Sequence, residues 1–310
     1  MTTRLLLALL VSVLALACAK VPEPPLRVAV NPWVGYDPLV LARERGLIDP
    51  ATLQVIELPS ATECKRALRN GLADAAALTL DEALRLADEG TELRIVTLLS
   101  DSRGADAVLA RPGISSLAEL RGKRIALEES ALGSLMLARL LTAAGLTRDD
   151  VHTVHGEASQ HAAMVQDGGA DVVITFEPIR SQLLAAGLSV IFDSAELPGE
   201  IVDVLVVRAD LVEHRVQQLR AAWRTGLAAL EADLPAAAAL LSPAADLTVE
   251  QYLATLDGLR FIPAAESAQR LDAEALALSA GPLAGHLQGL GLLQRPPDWV
   301  ALTTDTGAAR

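Results

Sequence analysis

Six carboxylates fall where an apolar run ends or in the loop that follows it: Asp81, Asp106, Glu128, Glu129, Glu177 and Asp203. Each has an ordinary structural reading. Asp81 and Glu82 can charge the start of a helix, where the backbone dipole favours an anion, and Glu177 before Pro178 can do the same. Asp106 and Asp203 can anchor strands to neighbouring backbone. Gathered at one place, though, unpaired carboxylates repel one another, and their pKa values rise unless a cation or a set of donors meets them. A second group of residues suits the same chemistry. The chain is only 3% aromatic, yet Asn31-Pro32-Trp33-Val34-Gly35-Tyr36-Asp37 carries two large rings within four residues. Ring faces attract ammonium, guanidinium and planar heteroaromatic groups. Gly35 between them reads as a tight backbone turn. Rings and carboxylates together point to a planar or cationic, amine-bearing small molecule.

An anion is the competing ligand class. Ser130-Ala131-Leu132-Gly133-Ser134 opens a helix directly after a strand pattern, and helix N-termini offer N–H groups to anions. Thr79 and Ser102-Arg103-Gly104 can add donors, with Arg103 as counter-charge, although a pairing of Arg103 with Asp101 or Asp106 suits the sequence better. No catalytic set stands out: G-x-S-x-G, P-loop and G-x-G-x-x-G patterns are all absent. His152 and His155 alternate to opposite faces of a strand, and no cysteine or carboxylate completes a metal set with them and His161. These read as surface histidines, with no enzyme activity, metal or cofactor expected.

The elements that must position these residues alternate. LRVAV, LQVIEL, AAAL and LRIVTLLS read as strands, separated by the helical patterns PLVLARERG, SATECKRALRNG and the stretch from Thr79 to Gly90. Ser60-x-x-Glu63 and Thr79-x-x-Glu82 are both written as capping boxes. After Pro112-Gly113 the pattern restarts with RIALE, VHTVH, DVVIT and LSVIF as strands between helices, and VDVLVVR follows Pro198-Gly199. The remainder reads as an alanine-rich helical tail. This is a mostly parallel α/β arrangement in two lobes. GADAVLA and VDVLVVR mark where the chain crosses between them. Expected boundaries are residues 26–108 plus 205–310 for the first lobe and 109–204 for the second.

The first 17 residues read as a signal peptide: MTTR, then the apolar run LLLALLVSVLALA, ending in small residues before Cys18. This start resembles a bacterial lipoprotein signal, so Cys18 is the expected lipidation site and residues 18–25, with Val21-Pro22-Glu23-Pro24-Pro25, a stiff tether. Cys64 then has no disulfide partner and reads as a small, semi-buried helical residue. The net charge of -13 argues against a nucleic-acid partner.

In open parallel sheets, ligands bind beyond the carboxyl ends of strands, which is where the Trp33–Tyr36 segment falls. That W-x-G-Y stretch resembles the one near the mature N-terminus of the nitrate/taurine/alkanesulfonate/thiamine-pyrimidine class of periplasmic substrate-binding proteins. The resemblance runs on through ARERGLID, GLADAAALTLDEAL, LRGKRIALEESALG, GGADVVITFEPIRSQL and GEIVDVLVVR. It implies a type II two-lobe periplasmic binding fold with two hinge crossings, closing on a small molecule, and delivery to an inner-membrane ABC permease. A membrane receptor or signalling enzyme is the alternative partner, with the protein then a ligand sensor. The expected ligand-binding residues are Trp33, Tyr36, Asp81, Asp106, Glu129, Ser130, Gly133, Glu177 and Asp203. A monomer, lipid-anchored on the periplasmic side of the envelope, completes the expectation.

Overall fold

The computed structural model describes residues 23–303, so the signal segment, Cys18 and the first part of the tether lie outside it. The first half runs β1 (Leu26–Val30), α1 (Asp37–Glu44), β2 (Leu53–Glu57), α2 (Ala61–Arg69), β3 (Ala75–Thr79), α3 (Leu80–Asp88) and β4 (Leu93–Ser102). The second runs β5 (Asp106–Ala110), β6 (Arg124–Leu127), α4 (Ala131–Ala144), β7 (His152–His155), α5 (His161–Gln166), β8 (Val172–Phe176), α6 (Ile179–Ala185) and β9 (Ser189–Asp193). The chain then returns through β10 (Val202–Arg208), α7 (Glu213–Ala232), α8 (Leu234–Leu241), α9 (Val249–Leu256), β11 (Leu259–Phe261), α10 (Ala264–Arg270), α11 (Ala273–Gly289) and α12 (Trp299–Thr303).

Two sheets result, ordered β11-β4-β10-β3-β1-β2 and β7-β6-β8-β5-β9. In each, the strand arriving from the other half runs antiparallel to its neighbours: β10 between β3 and β4, β5 between β8 and β9. The central strands are continuous apolar runs because helices cover both faces. Leu26, Val28 and Val30 pack on one side of the first sheet with α1 and α7, and Ala29 on the other. Gly226 lets α7 cross α1 closely, since a Cβ there would sit 1.8 Å from the Pro38 carbonyl oxygen. The chain changes sheet between Ser102 and Asp106 and again between Asp193 and Val202. The boundaries expected at 108/109 and 204/205 thus fall inside β5 and β10.

The two crossings are laced together. The Ser194 hydroxyl lies 2.7 Å from that of Ser102 and accepts from the Gly104 amide at 2.6 Å, and the Ser102 amide donates to the Ile201 carbonyl at 3.0 Å. Gly104 has φ +115°, open only to glycine without strain.

The tail departs from the all-helical expectation. β11, three residues long, pairs antiparallel with Ser100–Ser102 at the end of β4. A strand that short has no periodicity to read; it forms because ten-residue β4 would otherwise leave backbone groups unpaired at the sheet edge.

The same clamp occurs in both halves. Arg27 bonds Asp74 through its Nε, Nη2 and backbone amide and reaches the Gly71 carbonyl. Arg124 bonds Asp171 and Gly168 in the same pattern, at the same sequence separations of 47 and 44. Each clamp joins the leading ends of adjacent parallel strands, the edge of the sheet away from their carboxyl ends.

Candidate functional site

A cavity of about 30 Å³ lies between the lobes. The first lobe supplies Asn31, Trp33, Tyr36, Thr79, Glu82 and Asp203, and the second supplies Asp106, Glu128, Ser130, Leu132 and Phe176. A smaller space of about 10 Å³ continues from it past Gly133, His161 and Thr175. The walls are chiefly the loops after β1 and β6, each the strand-to-helix turn of its own half.

The rings of the first wall turn their polar ends inward on one carboxylate. Trp33 Nε1 donates to Asp203 Oδ2 at 3.0 Å, Tyr36 Oη to Oδ1 at 3.0 Å, and Ser100 Oγ to Oδ2 at 2.5 Å. Burial pushes Asp203 up to about 6, and these three donors hold it from rising further. Gly35 lies in the expected tight turn, where the Tyr36 amide donates to the Trp33 carbonyl at 2.9 Å, but it is space for the indole that calls for a glycine. Its φ is not positive, but a Cβ would lie 2.3 Å from Trp33 Nε1. The indole folds back across Gly35 to reach Asp203, which is what the W-x-G-Y spacing accomplishes. Across the cleft the Trp33 ring meets Phe176 edge-on, centroids 5.8 Å apart.

Asp106 has less help. It is 2% exposed, on the cavity wall, and its Oδ2 has no hydrogen-bond partner. Burial pushes it up to about 8; the Ser102 hydroxyl eases this, and Asp203, Asp81 and Glu177 add to it. Glu128 is raised to about 7, first by burial, although the Ala158 amide donates to it at 3.2 Å. Among the described residues no lysine or arginine pairs with Asp106.

Of the residues expected at the site, Trp33, Tyr36, Asp106, Ser130 and Asp203 line the main cavity and Gly133 the smaller one. Asp81 sits behind the wall, fully buried with neither carboxylate oxygen bonded, and is raised by burial and by Glu82. Glu129 is exposed, whereas its neighbour Glu128 faces the cavity. Glu177 is buried as a helix-start acceptor, taking the Ser181 amide at 3.0 Å, the Ser181 hydroxyl at 3.0 Å and Arg180 at 2.9 Å. Arg103 is exposed, and Asp101 pairs with Arg260 and Arg270. His152 and His155 are exposed as expected, but His161 is fully buried, its Nδ1 3.0 Å from the Thr175 hydroxyl, and burial lowers it to about 4. Cys64 is buried, its thiol pushed up to about 12 by burial.

Sequence reading missed Glu82 as a cleft residue. The expected Thr79/Glu82 box does not close: Thr79 caps α3 without a side-chain bond. Glu82 instead bonds Lys65 of its own lobe and accepts from the Ala131 amide of the other at 2.8 Å.

Two sheets of matching order joined by two crossings, with a cavity where their carboxyl ends face each other, define a periplasmic binding protein fold of type II. Solved structures agree. The periplasmic aliphatic sulphonate binding protein SsuA from Escherichia coli superposes with a TM-score of 0.73 at 20% identity, covering 91% of this chain and 92% of that one. The alkanesulfonate-binding protein SsuA from Xanthomonas axonopodis pv. citri, bound to MOPS, gives 0.76 at 20% identity, with 91% and 98% covered. The Candida albicans CA3427 product, described as having the generic periplasmic binding protein fold, gives 0.69 at 16%, with 92% and 97% covered. No curated protein matches the chain in sequence. The NMT1-like family model matches residues 19–239, and the chain belongs to that family.

Proposed function

We propose that this protein is an extracytoplasmic solute-binding lipoprotein of an ABC importer, anchored through Cys18, that captures a small planar or amine-bearing cation between its lobes. The single observation that carries the ligand class is Asp106: a buried carboxylate on the cavity wall with a free acceptor oxygen, flanked by Asp203, Asp81 and Glu177. A cation with N–H donors relieves both the missing bond and the repulsion. Ligand sites for drug-sized molecules occupy about 300–1,000 Å³, so the 30 Å³ space requires the lobes to part at the laced crossings and close again around the solute.

A thermal-shift screen tests the reading, because a ligand that binds only the folded state raises its apparent stability. Alkylamines, guanidinium compounds and aminopyrimidines should raise the Tm of the wild-type protein. Asp106→Asn should abolish the shift. A sulfonate or nitrate emerging as the tightest ligand refutes the cationic assignment.

A further inference from the structure

The unclosed capping box of α3 leads beyond ligand class to the residue that sets it. The first amide of a helix has no partner within the helix, and an anion seated there gains from the bond and from the dipole. In the 14-residue α4 that amide belongs to Ala131. Ser130 satisfies the Gly133 amide at 2.9 Å. The Ala131 amide is taken by Glu82, a carboxylate carried on the opposite lobe and held on its far oxygen by Lys65. Glu82 is 1% exposed. The position an anionic solute would need is therefore filled by the protein's own anion, while Asp106 Oδ2 stands unpartnered in the same cavity.

We propose that Glu82 is a specificity residue: seated on the N-terminus of α4, it latches the closed lobes and excludes sulfonates and other small anions from the cleft. The inference rests on the cleft reading above for the solute, but not for the latch. A solute anion must displace Glu82 from that amide and lie against its carboxylate in a dry site. An amine meets no such obstacle.

Two measurements separate these parts. Hydrogen exchange of the Ala131 amide reads the latch without any ligand. Loss of a hydrogen bond to a charged acceptor should speed that exchange about tenfold or more in Glu82→Ala, with Glu82→Gln between it and wild type. Thermal shift with methanesulfonate reads the exclusion: no shift in wild type, a concentration-dependent rise in Glu82→Ala. If that variant is too unstable because Lys65 is left buried, the double change Lys65→Met with Glu82→Leu removes both charges and carries the same expectations. Equal Ala131 exchange in wild type and variants overturns the latch. A methanesulfonate shift as large in wild type as in the variant overturns the exclusion. If amines fail to stabilise the protein while both Glu82 results hold, the ligand assignment falls and the role of Glu82 stands.

Discussion

Replacing Trp33 by Phe removes one donor from Asp203 while keeping a ring over Gly35. Asp203 is fully buried and accepts three hydrogen bonds, and the one from Trp33 Nε1 spans 3.0 Å. A hydrogen bond to a charged group contributes about 1.5–3 kcal/mol, and one to a neutral group about 0.5–1.5. Asp203 is held near 6, so at pH 8 it is ionised and the larger figure applies. At pH 5 only roughly a tenth of it is ionised, and the smaller figure applies. The sign follows from linkage. A carboxylate with a raised folded-state pKa stabilises fully below its unfolded value near 4 and loses that contribution as pH climbs to its folded value. Removing a donor raises the folded value further, so the variant goes on losing stability over a longer span of pH. The trimmed ring adds a cost independent of pH, and the difference between the two conditions isolates the bond. Urea denaturation at pH 5 and pH 8 measures it, with the loss at pH 8 larger by about 1–2 kcal/mol. An equal loss at both refutes the assignment of Trp33 as the donor that holds Asp203 down.

Gly35→Ala forces a methyl against the indole nitrogen, and overpacking of this kind costs about 1–3 kcal/mol; tryptophan fluorescence should shift as Trp33 leaves Asp203. Asp106→Asn removes the carboxylate held near 8 and should raise Tm at pH 8 while abolishing amine binding; a lower Tm would mean that the carboxylate is paired in solution. In wild type the groups held near 6, 7 and 8, Asp203, Glu128 and Asp106, make stability fall as pH rises from about 4 to 8. Amine binding should strengthen over the same window with proton release, which calorimetry in buffers of different ionisation enthalpy would detect. Arg27→Ala and Arg124→Ala each remove one clamp with matched bonds and similar exposure; their destabilisations should agree within about 0.5 kcal/mol and add in the double variant.

Much of the frame was legible because alternation and turn residues are local signals. LRVAV and VDVLVVR became β1 and β10 as read, and Asp203 and the rings do meet in one wall. What could not be read was the long-range chemistry. Trp33 and Asp203 are separated by 170 residues, so the rings looked like free faces when their polar ends were already committed. Glu82 fitted a local rule, the capping box, and the other lobe outbid that rule with a bare helix amide. His161 looked like its exposed neighbours His152 and His155 because burial comes from packing across α5 and β8, which a single strand pattern does not encode. Glu128 and Glu129 differ only in which side of the chain they leave after β6.

The matched clamps on Arg27 and Arg124 carry an implication for how far the two halves can vary independently. The two halves share strand order, clamp and spacing, and they face each other across a gap. At the strand-to-helix turns that wall the cavity they differ. One holds Trp33 and Tyr36 committed to a carboxylate; the other holds Ser130 and Gly133 around a helix start whose first amide is taken by Glu82. One jaw can change its tooth while the other, and the clamps that hold both, stay intact. The cavity wall of such a molecule can be altered one jaw at a time.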